Sequence, residues 1–350
     1  MVQVAGRATL PVELVRLDDA ASGLDGVIAI HSTERGPAAG GCRFWHYPDT
    51  SAAVRDACRL AEGMSYKNAM AGLPFGGGKA VLRHPGREFD RRALFEAFGR
   101  AVERLGGRYV TAEDVGTATA DMEWTAAATR HVAGRSARPG YAGGDPSPWT
   151  SLGVYEAIRA AVAFRHGGTL AGVTVAVAGV GSVGRGLCAL LAEAGAALVV
   201  ADPDPARCRN VAEAFGARVV GVEAIAKAQA DVFAPCALGG ALDAATVAAL
   251  RARIVCGAAN NQLAQPEVAE ALLRRGVTYA PDYVVNAGGI INVAAEYLGE
   301  REEGVRERVM AIGPRTHAIL AQAAAEGRSP AAVADATAER LIRGHALAAA

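Results

Sequence analysis

The sequence predicts an α/β protein of two domains, the second built on a doubly wound parallel sheet. Three observations predict it. At 350 residues the chain is long for a single hydrophobic core. From residue 173 onward, short unbroken apolar runs alternate with helical patterns, as parallel strands covered on both faces do. The hexamer Gly179-Val180-Gly181-Ser182-Val183-Gly184 stands between one such run and the helix after it. The Gly- and Pro-rich stretch 138–148 separates this pattern from the one before it. The first domain is therefore assigned to residues 1–135 and the second to 136–324, with a C-terminal helix from about 325 to 350 returning to the first.

In the N-terminal part, the apolar run 27–31 reads as a strand entering the turn-rich segment 35–41. Val54, Ala57, Cys58, Ala61 and Met64 recur at helical spacing, with Arg55, Asp56, Arg59 and Glu62 opposite, so 51–64 is a helix that delivers Lys67 near its end. Residues 80–82 form a strand, 91–105 an amphipathic helix, and 109–112 a strand leading to Glu113 and Asp114. Beyond the boundary, strands are predicted at 173–178, 197–201, 218–220, 231–234 and 253–256, with a helix at 184–194 after the first.

Composition excludes several function classes. Lys+Arg and Asp+Glu both number 36, so the chain is formally neutral and carries no basic block for nucleic acid or an anionic membrane surface. The six cysteines form no C-x-x-C pair and no cluster with histidine, which predicts free, buried thiols and no metal site. The N-terminus lacks the apolar core of a secretion signal, and no stretch is long and apolar enough to span a bilayer. A soluble cytoplasmic protein is expected.

Lysine is scarce here, yet Lys67 and Lys79 flank a small-residue segment, and Lys79 lies where the glycine turn Gly76-Gly77-Gly78 becomes the strand at 80–82. An ammonium in apolar surroundings is costly to desolvate without a partner, and its pKa falls; such a lysine can exchange a proton near neutral pH. Two surface lysines joined by a turn are the alternative reading. The run is not a phosphate loop, because Leu73 and Ala80 stand where that motif needs Gly and Ser or Thr.

The hexamer at 179–184 has the context a dinucleotide fingerprint requires. Gly179 makes the turn, Gly181 admits the pyrophosphate, Gly184 allows close packing, and the helix N-terminus offers its N–H groups, including those of Val180, Ser182 and Val183. Asp202 ends the next strand eighteen residues after Gly184, where a carboxylate holds the ribose hydroxyls. Its charge favours NAD over NADP, against which stand Arg207 and Arg209 nearby.

Together these segments resemble the glutamate/leucine/phenylalanine/valine dehydrogenase family of amino-acid dehydrogenases, the leucine-specific branch most of all. The matching pieces are Gly40-Gly41-Cys42-Arg43, Met64-Ser65-Tyr66-Lys67-Asn68, Gly76-Gly77-Gly78-Lys79, Thr111-Ala112-Glu113-Asp114 and the fingerprint, then 234–239, Gly257-Ala258-Ala259-Asn260-Asn261-Gln262 and 281–289. They occur in family order over most of the chain.

The resemblance implies a catalytic N-terminal α/β domain and a Rossmann-type NAD-binding domain, a homo-oligomer, and an amino-acid or 2-oxo-acid substrate. It implies that Lys67 binds the substrate carboxylate, aided by Gly40 and Gly41 backbone N–H groups. Lys79 is then the base, its pKa depressed by burial and by Lys67, and Asp114 the proton shuttle. Thr150, Ala237 and Asn260 would contact the coenzyme, and Asn261 the substrate amine. Asp145 and Trp149 depart from the usual Asn and smaller apolar residue, and Cys42 stands where Thr is usual.

Substrate size is read from few positions. Ala39 replaces the lysine that glutamate-specific members carry before Gly-Gly, so a γ-carboxylate has no partner there. Ala112, Met64, Ile290 and Val293 complete an apolar wall. An apolar, branched-chain L-amino acid follows; a phenylalanine- or tryptophan-type substrate is the alternative, and a non-catalytic NAD-binding regulator a third. One or two methylenes are worth only ~1–3 kcal/mol of discrimination.

Overall fold

The computed structural model describes residues 12–344 except Leu238, so the N-terminal segment read above for a signal, Leu238 of the 234–239 motif and residues 345–350 lie outside the described residues. The chain forms two compact units. The first comprises the residues up to Asp145, Ile290–Val305 and those from Thr337 on; the second comprises Pro146–Gly289 and Arg306–Ala336.

This division corrects the expected boundaries. Residues 136–145 and 290–305 belong with the first unit, and 325–336 stay with the second. In the first unit Asn292 ties down the segment before Asp145: its carboxamide accepts from the Gly143 N–H at 3.1 Å and donates to the Gly143 carbonyl at 3.2 Å. The Glu296 carboxylate accepts the Gly134 and Arg135 N–H groups, at 2.9 and 3.0 Å.

The first unit runs β1 (Glu13–Asp19), β2 (Leu24–Ser32), β3 (Ala38–Ala39), β4 (Cys42–Trp45), α1 (Thr50–Met70), β5 (Gly76–Arg83), α2 (Arg91–Glu103), β6 (Tyr109–Val110) and α3 (Thr119–Ala126). Its sheet is ordered β1-β2-β5-β3-β6, with β4 also on β5. β2 is antiparallel to β1 and β5, whereas β3 and β4 run parallel to β5. The period of two sorts the strands onto two cores. Ile28, Ile30, Ala80 and Leu82 face Leu94, Phe95 and Phe98 of α2, while Val27, Ala29 and Val81 face Ala53, Ala57 and Ala61 of α1. α1 begins where the Asp49 side chain accepts the Ala52 N–H at 2.7 Å, a capping bond typically worth ~1 kcal/mol.

The second unit runs α4 (Ser147–His166), β7 (Thr174–Ala178), α5 (Ser182–Glu193), β8 (Ala197–Ala201), α6 (Pro205–Phe215), β9 (Arg218–Val219), β10 (Val232–Pro235), α7 (Ala244–Ala249), β11 (Ile254–Val255), α8 (Glu267–Arg274), β12 (Thr278–Tyr279) and α9 (Asp282–Val285). All its strand pairs are parallel, in the order β12-β11-β10-β7-β8-β9. Val175, Val177, Val200, Val232 and Ile254 are fully buried, as strands covered on both faces require. Four further helices follow among the described residues: α10 (Gly288–Leu298), α11 (Glu302–Met310), α12 (Ile312–Glu326) and α13 (Pro330–Ile342). Among the described residues no helix is long and apolar enough to cross a membrane. All six cysteines are free, and all but the half-buried Cys236 are buried.

Candidate active site

The glycine run before Lys79 is not the turn the sequence suggested. Gly76, Gly77 and Gly78 are the buried first half of β5, and none has a positive φ. Glycine is needed for close approach. A Cβ on Gly76 would lie 1.8 Å from the Ser32 carbonyl oxygen, and one on Gly77 2.2 Å from the Ser65 N of α1. One on Gly78 would lie 2.8 Å from the Tyr109 ring. α1, β2 and β6 thus close directly on the strand that carries Lys79.

Lys79 is 4% exposed, which rules out the surface-lysine reading for this residue. It shares the sheet face of Val81, and its Nζ stands 2.9 Å from Asp114 Oδ1. Arg43 Nε donates to Asp114 Oδ2 at 3.1 Å, and Arg43 Nη1 to Asp56 Oδ2 at 2.9 Å. Tyr47 and Arg59 also donate to Asp56, at 2.6 and 2.8 Å. The result is a chain of alternating charge that ends on a buried ammonium.

Burial lowers the Lys79 pKa from its ordinary value; the Asp114 carboxylate opposes that, and the Arg43 cation adds to it. Arg43 is thus a depressing cation that the sequence reading did not name. Burial pushes Asp114 upward, but Lys79 and Arg43 outweigh it and hold the carboxyl below its ordinary value. Arg43, Asp56 and Tyr47 received no role from the sequence. Their offsets follow no period, and only the pairing of β4 with β5, which sets Arg43 beside Val81, reveals them.

Gly40 and Gly41 are also positions of close approach. A Cβ on Gly40 would lie 1.8 Å from the Gly78 carbonyl oxygen and 3.1 Å from Met64 Cγ; one on Gly41 would lie 2.8 Å from Asp114 Cβ. The structure thus brings Gly40 to Met64 and Gly41 to Asp114. The Gly40 N–H does not match the expected role, because it already donates to the Val110 carbonyl at 3.1 Å. Tyr109 fixes the other side of this residue by donating to the Gly40 carbonyl at 2.6 Å.

Lys67 is half-buried in the last turn of α1. The next residue, Asn68, is fully buried and donates to the Gly76 carbonyl at 2.6 Å and the Ala39 carbonyl at 3.3 Å. Ala39 and Ala112 are buried small residues of this unit. Ile290 and Val293 are half-buried, three apart on α10, and belong to the same unit. Cys42 is wholly buried and burial drives its thiol pKa up, so it is a small core side chain.

In the second unit the strand order reverses between β7 and β10, and ligands of such sheets bind at that switch point, beyond the carboxyl ends of the strands. Gly179 follows β7 with φ +97°, and a Cβ there would lie 2.7 Å from Ala237 Cβ, just past β10. A Cβ on Gly184 would lie 2.0 Å from the Gly179 carbonyl oxygen. Gly181 differs: a Cβ there would come no nearer than 3.8 Å to anything, and what it would meet is Arg207 Nη1. The next residue opens α5 with no side-chain cap. This open cradle at a bare helix N-terminus fits a pyrophosphate.

Asp202 accepts the Val180 N–H at 2.9 Å through Oδ2 and the Asp204 N–H at 2.9 Å through Oδ1, so the Val180 N–H expected for the pyrophosphate is already engaged within the turn. Its side chain is 7% exposed, and Arg207 Nη1 stands 4.0 Å from Oδ1. Thr150 donates to the Pro146 carbonyl at 3.1 Å, and its Oγ1 would lie 2.8 Å from a Cβ on Gly289. Asn260 and Asn261 are exposed. Asn260 accepts from Asn286 at 2.9 Å, and the Asn261 carbonyl accepts the Gly240 N–H at 2.7 Å. Asn261, at φ +52°, is the one non-glycine residue with positive φ among those described. Next to it Gln262, fully buried, donates to the Gly257 and Ala259 carbonyls at 2.7 and 3.0 Å.

Comparison with known proteins agrees with this geometry. Residues 8–131 match the model of the Glu/Leu/Phe/Val dehydrogenase dimerisation domain, and residues 205–343 match that of Glutamate/Leucine/Phenylalanine/Valine dehydrogenase. The chain is 49% identical to a valine dehydrogenase of Streptomyces albus over 336 residues, 94% of this chain and 91% of the relative. It is 44% identical to a leucine dehydrogenase of Bacillus subtilis over 331 residues, with the same coverage of each. Among solved structures, the L-tryptophan dehydrogenase of Nostoc punctiforme superposes with a TM-score of 0.84 at 39% identity, covering 95% of both chains. With these matches over nearly its whole length, and with a buried lysine–aspartate pair and a dinucleotide fold each in its own unit, the chain belongs to the glutamate/leucine/phenylalanine/valine dehydrogenase family of pyridine-nucleotide-dependent amino-acid dehydrogenases.

Proposed function

We propose that the protein catalyses the reversible, NAD-dependent oxidative deamination of an apolar, branched-chain L-amino acid to its 2-oxo acid and ammonia. The carrying observation is the buried Lys79–Asp114 pair, in a unit where Ala39, paired with Gly77 of the Lys79 strand, and Ala112, two residues before Asp114, are buried and offer no partner to a charged side chain. The valine and leucine dehydrogenases among the relatives support the same substrate class.

In this reading Lys67 holds the substrate carboxylate, with the Gly41 N–H rather than that of Gly40 as the backbone donor. The dinucleotide, when bound, supplies the hydride acceptor for the substrate Cα hydrogen. Neutral Lys79 takes a proton from the water that adds to the iminium carbon, and so makes the carbinolamine. Asp114, 2.9 Å from Lys79 Nζ, takes a proton from the substrate ammonium before the hydride leaves and returns it to the amine of the carbinolamine. As the C–N bond breaks, the carbinolamine hydroxyl gives its proton to the departing ammonia, the 2-oxo acid forms, and Lys79 releases its own proton to solvent. Asn261 supports the substrate amine; Thr150, Ala237 and Asn260 support the coenzyme; Ile290 and Val293 wall the side-chain pocket. The open face of Gly181 and the carboxylate of Asp202, already aligned on the turn, support NAD. The match to a dimerisation domain supports a homo-oligomer, and the reaction is assigned to the cytoplasm.

A panel of L-amino acids, assayed for reduced coenzyme at alkaline pH with NAD and with NADP, tests the reading. Valine, leucine and isoleucine should give the highest kcat/KM, glutamate none, and NAD should exceed NADP by ~10²-fold. Faster turnover of tryptophan or phenylalanine would replace the aliphatic reading. Equal use of NADP would give the coenzyme site to Arg207. NAD binding without turnover of any amino acid would make the protein a regulator.

A further inference from the structure

β2 and β5 pair with Ile30 opposite Gly78 and Ser32 opposite Gly77, so His31 is the extra residue of a β-bulge. Bulges gather beside active sites because they re-aim a side chain. The His31 ring is buried, and its Nδ1 lies 2.8 Å from the Ser65 hydroxyl. Ser65, 1% exposed, sits on α1 two residues before Lys67. A Cβ on Gly77 would lie 2.2 Å from both Ser65 N and Oγ, and Gly77 is two residues before Lys79. Ser65 is thus the point where the helix bearing one lysine rests on the strand bearing the other, and His31 holds that point from a third element.

We propose that His31 and Ser65 are positioning residues that fix α1 against β5 and so set Lys67 relative to Lys79. The proposal rests on the assignment of those lysines to substrate binding and catalysis. Burial lowers the His31 pKa to about 4, so the ring stays neutral in the working range and adds no further cation near the lysines. A hydrogen bond between two buried neutral groups also has no water to replace it when one partner is removed. Neither residue need touch the substrate for this; a small misplacement of an oriented group is enough to reduce turnover.

The test compares Ser65→Ala, His31→Phe and His31→Asn by steady-state kinetics and thermal unfolding. The unmodified protein's own turnover of amino acids tests the underlying assignment; the variants test the pair. Ser65→Ala and His31→Phe should raise KM for the amino acid about tenfold and lower kcat, with KM for the dinucleotide unchanged within about twofold. His31→Asn, whose amide end takes the place of Nδ1, should return KM to within about threefold of the unmodified value. Activity losses that only follow the folded fraction, with KM unchanged, would overturn the proposal. So would His31→Asn as impaired as His31→Phe. Should His31→Phe fail to fold, Ser65→Ala, which removes a single oxygen atom, decides by the same KM criterion.

Discussion

Two glycine-rich segments in this chain use the same residue for opposite ends. In the first, Gly76 to Gly78 form an extended, buried strand where each missing Cβ is filled by a neighbour: β2, α1 or Tyr109. In the second, Gly179 turns the chain at φ +97°, Gly184 packs on it, and Gly181 leaves its missing Cβ with nothing nearer than Arg207 Nη1 at 3.8 Å. The first run brings protein to protein around an ammonium; the second keeps protein away from where a phosphate belongs. Glycine content alone does not tell these apart. The surroundings of each absent Cβ do.

The contrast is open to attack at four points. Lys79→Ala should have the largest effect, a 10²–10⁴-fold loss of kcat from removing the base, with dinucleotide affinity kept within a few-fold. Stopped-flow turnover alongside fluorescence titration of the coenzyme measures both, and retention of more than ~1% of kcat would remove Lys79 from the chemistry. Gly77→Ala should cost about 3 kcal/mol of stability, because the new methyl meets helix backbone that has nowhere to go. Urea unfolding reads this as a lower midpoint at an unchanged slope.

Gly181→Ala is the mirror experiment. Its φ of −66° suits alanine and its Cβ meets nothing within 3.8 Å, so stability should change by less than ~1 kcal/mol. The dinucleotide Kd should still rise about tenfold, since the methyl occupies the pyrophosphate's approach. An unchanged Kd would mean that the second run is only a turn. Arg43→Gln gives the smallest effect. Lys79 must be neutral to act, so kcat/KM rises with pH and its acid limb lies below the ordinary lysine value of about 10.4. Removing Arg43 takes a repelling cation away and leaves Asp114 to Lys79 alone; both changes raise the Lys79 pKa. The acid limb should move to higher pH. A shift to lower pH would show that Arg43 acts by some other route.

The segments visible in the sequence were those with a period or a fixed spacing. The helix carrying Lys67 was legible from its apolar stripe, and so were five of the six strands of the second unit's sheet and the turn between β7 and α5. The two-residue strands β3 and β12 are shorter than any periodic window. The Gly76–Gly78 strand was read as a turn because glycine in sequence signals φ freedom, whereas here it signals proximity. The Arg43–Asp56–Tyr47 network and the His31–Ser65 pair join residues nine to thirty-four apart and exist only once the sheet has formed. The division of the chain at 145/146 and 289/290 depends on Asn292 and Glu296 reaching back to segment 134–143, which no local pattern encodes.

Asn261 carries a consequence for anyone who tries to harden this protein against heat. Its left-handed backbone costs a non-glycine residue on the order of 1 kcal/mol, even for asparagine, which tolerates it best. The Gly240 N–H and the buried Gln262 beside it hold that conformation in place whichever residue occupies the position. Glycine would therefore be the more comfortable occupant, and a library screened only for melting temperature would enrich it there. Such a screen would discard the carboxamide and keep the loop. Under the role proposed for Asn261 at the substrate amine, position 261 should be held fixed in any thermostability campaign, and its substitution used instead as a measure of how much stability the loop gives up for that role.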